Sequence, residues 1–190
     1  LPGCTVAAVC DPDTHRRRLA TEIASAAAQY ASFDALLQDG DLDAVVLATP
    51  EPAHAAQAIA VMERGWHVLI EKPLALSAPE ARAVLKTSRR TERVAMVGTI
   101  LRFSTPHRQL ADAVRAGQLG RVLHIHATRH VSRGWLRGSS VHPAFRTAIH
   151  DIDQVLWLTG QRITRVAAAA HRVEGDPLPC SLVSLLFLAE

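Results

Sequence analysis

Four short apolar runs in the first half of the chain constrain its fold more than any other feature of the sequence. They cover residues 6–10, 43–49, 68–70 and 94–97, and the first three end at polar or proline-containing turns. Strands of a parallel sheet are buried on both faces, so their sequences are nearly continuous runs of apolar residues. The runs therefore predict buried parallel strands, covered on both faces.

The stretches between these runs have a helical composition. Residues 14–30 are rich in Ala, Arg, Leu and Glu, and residues 54–64 precede Gly65, a typical residue after a helix end. Ser77 and Glu80 have the spacing of a capping box, which starts a predicted helix that runs to about residue 90. Alternating strands and helices predict an α/β fold, with a doubly wound parallel, Rossmann-like sheet.

The pattern changes near residue 100. A helix is predicted over 106–116, and polar residues then alternate with apolar ones over 121–131, as in a sheet with one covered face. A helix over 149–158 and strand-like stretches over 163–173 and 180–188 follow. We therefore expect one domain at residues 1–100 and an α+β domain with a largely antiparallel sheet at residues 101–190.

Composition and charge exclude several classes of protein. The net charge of +3 comes from scattered arginines, which is too weak a signal for a nucleic-acid groove. No apolar run approaches the roughly 18 residues of a membrane span, and no signal-peptide pattern is visible. Three cysteines without C-x-x-C spacing fit a reducing compartment. We expect no nucleic-acid partner, no membrane association and a cytoplasmic location.

Histidines raise the question of a metal site. His124 and His126 share one face of a predicted strand, and His130, His142 and His150 follow. No cysteine or carboxylate spacing completes a zinc-binding set. We therefore expect no metal site.

Ligands of open parallel sheets bind beyond the carboxyl ends of the strands, and Asp11 follows the first apolar run. An acid at such a position can accept hydrogen bonds from the ribose hydroxyls of a dinucleotide, and its charge repels a 2′-phosphate. The alternative is that Asp11-Pro12-Asp13 only turns the chain and caps the next helix.

Lys72, in the turn Glu71-Lys72-Pro73, is the second candidate at a strand end. Proline favours an extended conformation of the residue before it, and partial burial lowers the pKa of a lysine. Such a lysine can transfer a proton or bind a substrate oxygen. The alternative is a surface ion pair between Lys72 and Glu71.

The glycine-rich loop that binds the phosphates of a dinucleotide does not occur in this sequence, since no G-x-G-x-x-G is present. Two explanations stay open: the loop lies outside the sequence, or cofactor binding is impaired.

The chain resembles the Gfo/Idh/MocA oxidoreductases through an ordered set of segments rather than through one motif. The similar segments are residues 43–50, His54, 65–75, 97–98, 101–103, 117–122, 149–153 and 156–160. The resemblance implies an NAD(P)-dependent dehydrogenase or reductase that acts on a sugar, polyol or related hydroxyl or carbonyl compound. It also implies a dinucleotide-binding first domain, and a second domain that supplies the substrate pocket and a homodimer or homotetramer contact through its sheet.

The resemblance further implies roles for individual residues. Lys72 matches the catalytic lysine that holds the reacting oxygen, and His150 matches the histidine that exchanges its proton. NAD is the expected cofactor, with NADP not excluded, and substrate contacts are expected near Arg102 and in the loop over residues 132–145. The positions expected to bind the cofactor are Asp11, Thr49, Pro50, His54, Glu71 and Lys72. Asp153, one helical turn beyond His150, is a further candidate for orienting that histidine and for binding substrate. Arg102 and Asp153 each have a structural alternative, an ion pair with a nearby acid for Arg102 and a helix-surface position for Asp153.

Two side chains depart from the family pattern. Arg146 stands where many members have an acid, four residues before the histidine, and Glu51 replaces the usual asparagine or serine after Thr-Pro. We expect Arg146 to lower the pKa of His150 and to affect substrate binding. Arg146 and the missing phosphate loop also support a second hypothesis, a non-catalytic nucleotide- or ligand-binding paralogue.

Overall fold

The structure of the chain is a computed structural model that describes residues 3–26, 28–131, 141–171, 174 and 182–189. Short 3-10 helices occupy Glu51–Ala53 and Ile100–Phe103, and a π-helical turn occupies Ala144–Ala148. The strands and helices are, in chain order, β1 (Ala8–Cys10), α1 (Thr14–Ala24), β2 (Ala28–Tyr30), α2 (Phe33–Asp39), β3 (Ala44–Leu47), α3 (His54–Glu63), β4 (His67–Ile70), α4 (Ala78–Thr91), β5 (Ala95–Val97), α5 (Thr105–Arg115), α6 (Ile149–Thr159), β6 (Ile163–His171) and β7 (Leu182–Ala189).

The chain divides into two compact units. Unit 1 comprises Leu1–Thr49, Ala53–Ile70 and Ser77–Met96, and unit 2 comprises Pro50–Pro52, Glu71–Leu76 and Val97–Glu190. The turns that follow β3 and β4 therefore belong largely to unit 2. The domain boundary expected at residue 100 stays a prediction.

Parallel strand pairing in unit 1 confirms the Rossmann-like α/β prediction. β1 and β2 pair in parallel, with Val9 beside Gln29. β3, β4 and β5 form a second sheet in that order, in which β3 and β4 are parallel and Val45 lies beside Val68.

One face of the β3–β4 pair forms the core of unit 1 together with α3 and α4. On the opposite face Val46 is 68% and Leu69 is 37% exposed, so the described residues cover one face of these strands, not both as predicted. The alternation arises because successive side chains of a strand point to opposite faces. The buried side chains are Val45, Leu47, Ala58, Val61, Met62, Val68, Ile70 and Val84.

The helix predicted over residues 14–30 is shorter than expected. Asp13 caps α1 by accepting hydrogen bonds from the amides of His15 and Arg16, and α1 ends at Ser25, whose φ is +52°. The next residues form β2, because hydrogen bonding to β1 outweighs the helix preference of alanine. The capping box predicted for α4 is confirmed at its N-cap, where Ser77 Oγ accepts from the Glu80 amide over 3.3 Å.

The helices predicted for unit 2 are present as α5 and α6. Gly160 ends α6 with a φ of +65°, a conformation that only glycine adopts readily, and its amide donates to the Leu156 carbonyl. β6 and β7 pair antiparallel, with Val166 opposite Phe187. One antiparallel pair of strands does not establish the largely antiparallel sheet predicted for this domain, so that sheet stays a prediction.

Residues 121–131, predicted as a strand, have no regular secondary structure. A strand requires a hydrogen-bonded neighbour, and in the described part of unit 2 β6 and β7 pair with each other. Most side chains of this segment are exposed, so its alternating polarity does not separate a core face from a solvent face.

Two further observations concern only the described ranges. They contain no helix that is long and apolar enough to cross a bilayer, and no group of three or more His, Cys, Asp or Glu side chains suited to a metal ion. Residues 132–140 of the loop expected to bind substrate lie outside these ranges.

Candidate active site

Lys72 lies in the turn that follows β4, within unit 2. Its ammonium Nζ donates a hydrogen bond to the backbone carbonyl of Arg146 over 3.0 Å. Its backbone amide donates to Glu71 Oε2 over 3.2 Å, and the Lys72–Pro73 peptide bond is cis. A main-chain group from a distant part of the sequence therefore orients the Lys72 side chain.

The surroundings of Lys72 lower its pKa below the ordinary value. Partial burial is the largest cause, and the positive charges of Arg146 and Arg129 act in the same direction. The carboxylates of Glu71 and Glu51 oppose the shift. Burial thus outweighs the ion pair with Glu71 considered from the sequence, and the amine gives up its proton more readily than an exposed lysine.

His150, the second residue of α6, has a pKa that is also lowered. Burial is again the largest cause, followed by the positive charges of Lys72 and Arg129, while Asp151 and Asp153 act in the opposite direction. The structure thus brings the two predicted catalytic side chains, Lys72 and His150, within electrostatic reach of each other in unit 2. A neutral imidazole at neutral pH is able to accept a proton.

Arg146 and Glu51, the two departures from the family pattern, contact each other. Arg146 Nε lies 3.1 Å from Glu51 Oε1, and the two side chains are 21% and 23% exposed. The expectation that Arg146 lowers the pKa of His150 is corrected here: the causes are burial, Lys72 and Arg129, whereas Arg146 acts on Lys72. Arg146 lies in the π-helical turn that precedes α6, and this turn directs its carbonyl to Lys72 and its side chain to Glu51.

Arg102 and Asp153 bind each other. Arg102 Nη2 lies 2.6 Å from Asp153 Oδ1 and Arg102 Nε lies 2.9 Å from Asp153 Oδ2, a bidentate arrangement. The guanidinium carbon also lies 5.9 Å from the centre of the Trp157 ring. The ion pair considered as an alternative for Arg102 is therefore present, and the substrate roles of both residues stay predictions.

Sequence reasoning missed Arg129. It makes a bidentate pair with Asp151, with both N···O distances 2.8 Å, beside His150. Arg129 comes from the segment that was expected to be a strand, and no motif marks it. Its partner Asp151 lies within residues 149–153, a segment that resembles the family, and this resemblance was the available sequence signal for the pair.

The predicted cofactor-binding residues of unit 1 follow strand ends. Asp11 comes directly after β1, and its Oδ1 accepts a hydrogen bond from the Asp13 amide over 2.8 Å. Asp11 therefore does shape the turn, as the alternative held, while Asp13 caps the helix. The expected role of Asp11 at the ribose hydroxyls stays a prediction.

Thr49 and His54 support the turn after β3. The Thr49 hydroxyl lies 2.6 Å from Gln57 Oε1, to which it donates. His54 Nε2 lies 2.8 Å from the Thr49 carbonyl oxygen, and His54 is only 1% exposed. His54 thus holds the backbone that leads to Pro50, and its own ring is buried. Pro50 and Glu71 both lie in unit 2, in the same turns as Glu51 and Lys72.

Comparisons with known proteins agree with these features. Residues 1–99 match the family model described as "Oxidoreductase family, NAD-binding Rossmann fold", and residues 107–180 match the "GFO/IDH/MocA C-terminal domain". The chain is 34% identical to an inositol 2-dehydrogenase of Streptomyces avermitilis, over 92% of this chain and 53% of that protein. It is also 34% identical to inositol 2-dehydrogenase 2 of Saccharopolyspora erythraea, over 93% of this chain and 52% of the relative.

A solved structure shares the fold. It is the scyllo-inositol dehydrogenase from Lactobacillus casei with bound cofactor NAD(H) and scyllo-inositol, with a TM-score of 0.85 and 21% identity over 96% of this chain and 58% of the other. The chain spans about half the length of the curated relatives it matches. Because a family model covers its first 99 residues and relatives over 30% identical align with most of it, the chain belongs to the Gfo/Idh/MocA family of oxidoreductases, with an NAD-binding Rossmann domain at its N-terminal side.

Proposed function

We propose that the protein is a dehydrogenase that oxidises one hydroxyl group of a cyclic polyol of the inositol class, with NAD as its cofactor. The substrate class is taken from the names of the relatives, which are inositol 2-dehydrogenases. The observation that carries the proposal is that Lys72 and His150, both partly buried, lie within electrostatic reach of each other in unit 2. Burial lowers the pKa of both groups, and the charge of Lys72 lowers that of His150 further.

Lys72 and His150 divide the proton chemistry in this proposal. The Lys72 ammonium donates a hydrogen bond to the reacting hydroxyl oxygen, and neutral His150 accepts the hydroxyl proton. Bound NAD supplies the hydride acceptor. The carbon thus loses a hydride, the oxygen loses a proton and a carbonyl forms.

Other residues are proposed to bind the cofactor and the substrate. Asp11 holds ribose hydroxyls and disfavours NADP, while buried His54 acts indirectly, through the backbone of Thr49. Pro50, Glu71 and Lys72 contact the nicotinamide end, and Arg102, Arg146 and Asp153 contact or frame the substrate. The proposed domains are residues 1–100 for dinucleotide binding and residues 101–190 for substrate binding. The proposal also includes an antiparallel sheet in the second domain, a homodimer or homotetramer formed through it, and a cytoplasmic location.

The test is an assay of the protein, as its gene encodes it, with NAD and myo-inositol, scyllo-inositol and a panel of linear polyols. We expect absorbance at 340 nm to rise with at least one cyclic polyol. Absence of any increase with every polyol, in protein that binds NAD, would overturn the proposed activity.

The same assay addresses a second candidate, a binding paralogue without turnover. The observation that favours it is the positive charge of Arg146 close to Lys72. Binding of NAD measured by calorimetry, together with no redox change for any substrate, would favour the paralogue. Turnover would exclude it.

A further inference from the structure

Glu51 lies beside the predicted catalytic lysine and has no role in the proposed chemistry. It begins the short helical turn after β3, in the part of that turn that belongs to unit 2. Its carboxylate pairs with Arg146 at 3.1 Å, and both side chains are about one-fifth exposed. Screening by water is weaker there than at an open surface, so the charges of this pair act on their neighbours.

Arg146 connects Glu51 to Lys72. The side chain of Arg146 faces Glu51, and its backbone carbonyl accepts the hydrogen bond from the Lys72 ammonium at 3.0 Å. One residue therefore receives a contact from each of the other two. A contact that holds the Arg146 side chain therefore also restrains the backbone turn that carries the Arg146 carbonyl.

We propose that Glu51 is a positioning residue, which pairs with Arg146 and thereby holds both the carbonyl that orients Lys72 and the charge balance around the Lys72 amine. Without Glu51, the Arg146 guanidinium would face the Lys72 ammonium with its charge less compensated. Like charges close together disfavour the charged form of each, so the lysine would lose its proton more easily. The assignment of a chemical role to Lys72 rests on the proposed function, but the contact does not.

Other charged groups also act on Lys72 and His150. Glu71 is on the same turn, Arg129 comes from the irregular segment before residue 132, and His150 comes from α6. Arg129 is paired with Asp151 at 2.8 Å. Substitution of Glu51 changes the charge near Lys72 without removing Lys72 or His150, the predicted catalytic side chains.

The experiment measures the pKa of Lys72 directly. Reductive ¹³C-methylation labels the lysine amines, of which the given sequence contains Lys72 and Lys86, and the Lys72 signal is identified by its loss in a Lys72→Arg variant. In Glu51→Gln we expect the pKa of Lys72 to fall, because a negative charge that raises it is lost. In Arg146→Met we expect it to rise, because a positive charge that lowers it is lost.

A charge-swapped double variant, Glu51→Arg with Arg146→Glu, tests the pairing itself. It restores an ion pair and retains a backbone carbonyl at position 146, so the pKa of Lys72 is expected to return toward the wild-type value. Glu51→Asp serves as a milder variant if Glu51→Gln does not fold by circular dichroism. Because aspartate keeps the charge on a shorter side chain, the pKa of Lys72 should fall in Glu51→Asp as well, but by less than in Glu51→Gln.

The control is Glu63→Gln, which breaks the Glu63–Arg90 pair, exposed on both sides. It should leave the Lys72 titration unchanged. A Lys72 pKa in folded Glu51→Gln or Glu51→Asp that equals the control value would overturn the positioning role. The titration requires no turnover. An inactive protein would therefore contradict the proposed function, while the pKa of Lys72 would still test the positioning role of Glu51. In an active protein, the alkaline limb of kcat/KM should move to lower pH in Glu51→Gln.

Discussion

The Lys72 ammonium donates a hydrogen bond to the backbone carbonyl of Arg146, although 74 positions separate the two residues in the chain. The acceptor is a main-chain atom, so the contact depends on the path of the π-helical turn rather than on the identity of the side chain. It fixes the amine in partly buried surroundings, and this burial is the largest cause of the lowered pKa of Lys72. The π-helical turn thus positions the amine through a main-chain contact.

Lys72→Met is expected to reduce turnover by about 10²- to 10⁴-fold, the usual loss when a positioned proton-transfer group is removed. Methionine keeps the linear shape and fits partial burial, so the fold and NAD affinity should change little. The measurements are the initial rate at 340 nm with a cyclic polyol and NAD affinity by calorimetry. Lys86→Met is the matched control, because Lys86 is an exposed lysine of α4 in unit 1. Equal rates for both variants would remove Lys72 from the mechanism.

The lowered pKa of His150 predicts a specific pH dependence of stability. In the interval between its folded pKa and the ordinary 6.5, the unfolded chain binds more protons at this residue than the folded chain. The free energy of unfolding therefore falls as pH falls through that interval. Wild-type protein should lose more stability between pH 7 and pH 5 than His150→Gln, measured by urea unfolding. An equal loss in both proteins would contradict the lowered pKa.

The same group predicts the acid limb of the rate. If neutral His150 accepts the substrate proton, kcat/KM should decline only below pH 6.5, since the folded pKa lies below that value. NMR titration of the histidines, with His150 assigned by loss of its signal in His150→Gln, gives the pKa without turnover. Agreement between the two values identifies His150 as the proton acceptor; a decline centred above pH 6.5 would point to another group.

Asp11→Asn tests cofactor choice. Asparagine retains an oxygen that can accept the Asp13 amide, so the turn after β1 persists while the negative charge is lost. We expect the preference for NAD over NADP to fall by about tenfold, which corresponds to roughly 1.4 kcal/mol. The ratio of dissociation constants is the measurement, and Asp13→Asn, two residues away, is the control. An unchanged ratio would leave Asp11 with only its role in the turn.

Most strands and helices of the first unit could be predicted because local sequence patterns favour them, whereas β2 and α2 were not predicted. The apolar runs before Asp11, Thr49 and Lys72 are strands, and each candidate lies at a strand end as expected. The helix over residues 14–30 was predicted too long because β2 is stabilised by pairing with β1, which no local preference reveals. Residues 121–131 show the opposite case, because an alternating pattern forms a strand only with a hydrogen-bonded neighbour, and within the described ranges these residues pair with no strand.

The contacts of the site were less predictable than its members. Lys72 and His150 could be named from the family pattern, and Glu51 and Arg146 could be named as departures from it. The ion pair between Glu51 and Arg146 could not be predicted, because it joins the turn after β3 to the turn before α6. The lowered pKa of His150 was expected, but its cause was assigned to Arg146, whereas burial and two other cations produce it. Charges act through space, and the sequence does not give the distances.

The bidentate pair between Arg102 and Asp153 predicts a structural cost for its removal. Asp153 is only 14% exposed, so Arg102→Met leaves a largely buried carboxylate without its partner. Arg102 is 39% exposed, and screening by water therefore reduces the penalty below that of a fully buried pair. We expect the free energy of unfolding to fall by about 1–3 kcal/mol, measured by urea unfolding. Arg90→Met, which breaks an exposed pair with Glu63, should change it by less than about 1 kcal/mol. If Arg102 also binds substrate, its variant should raise KM as well; a raised KM with unchanged stability would assign Arg102 to the substrate rather than to the fold.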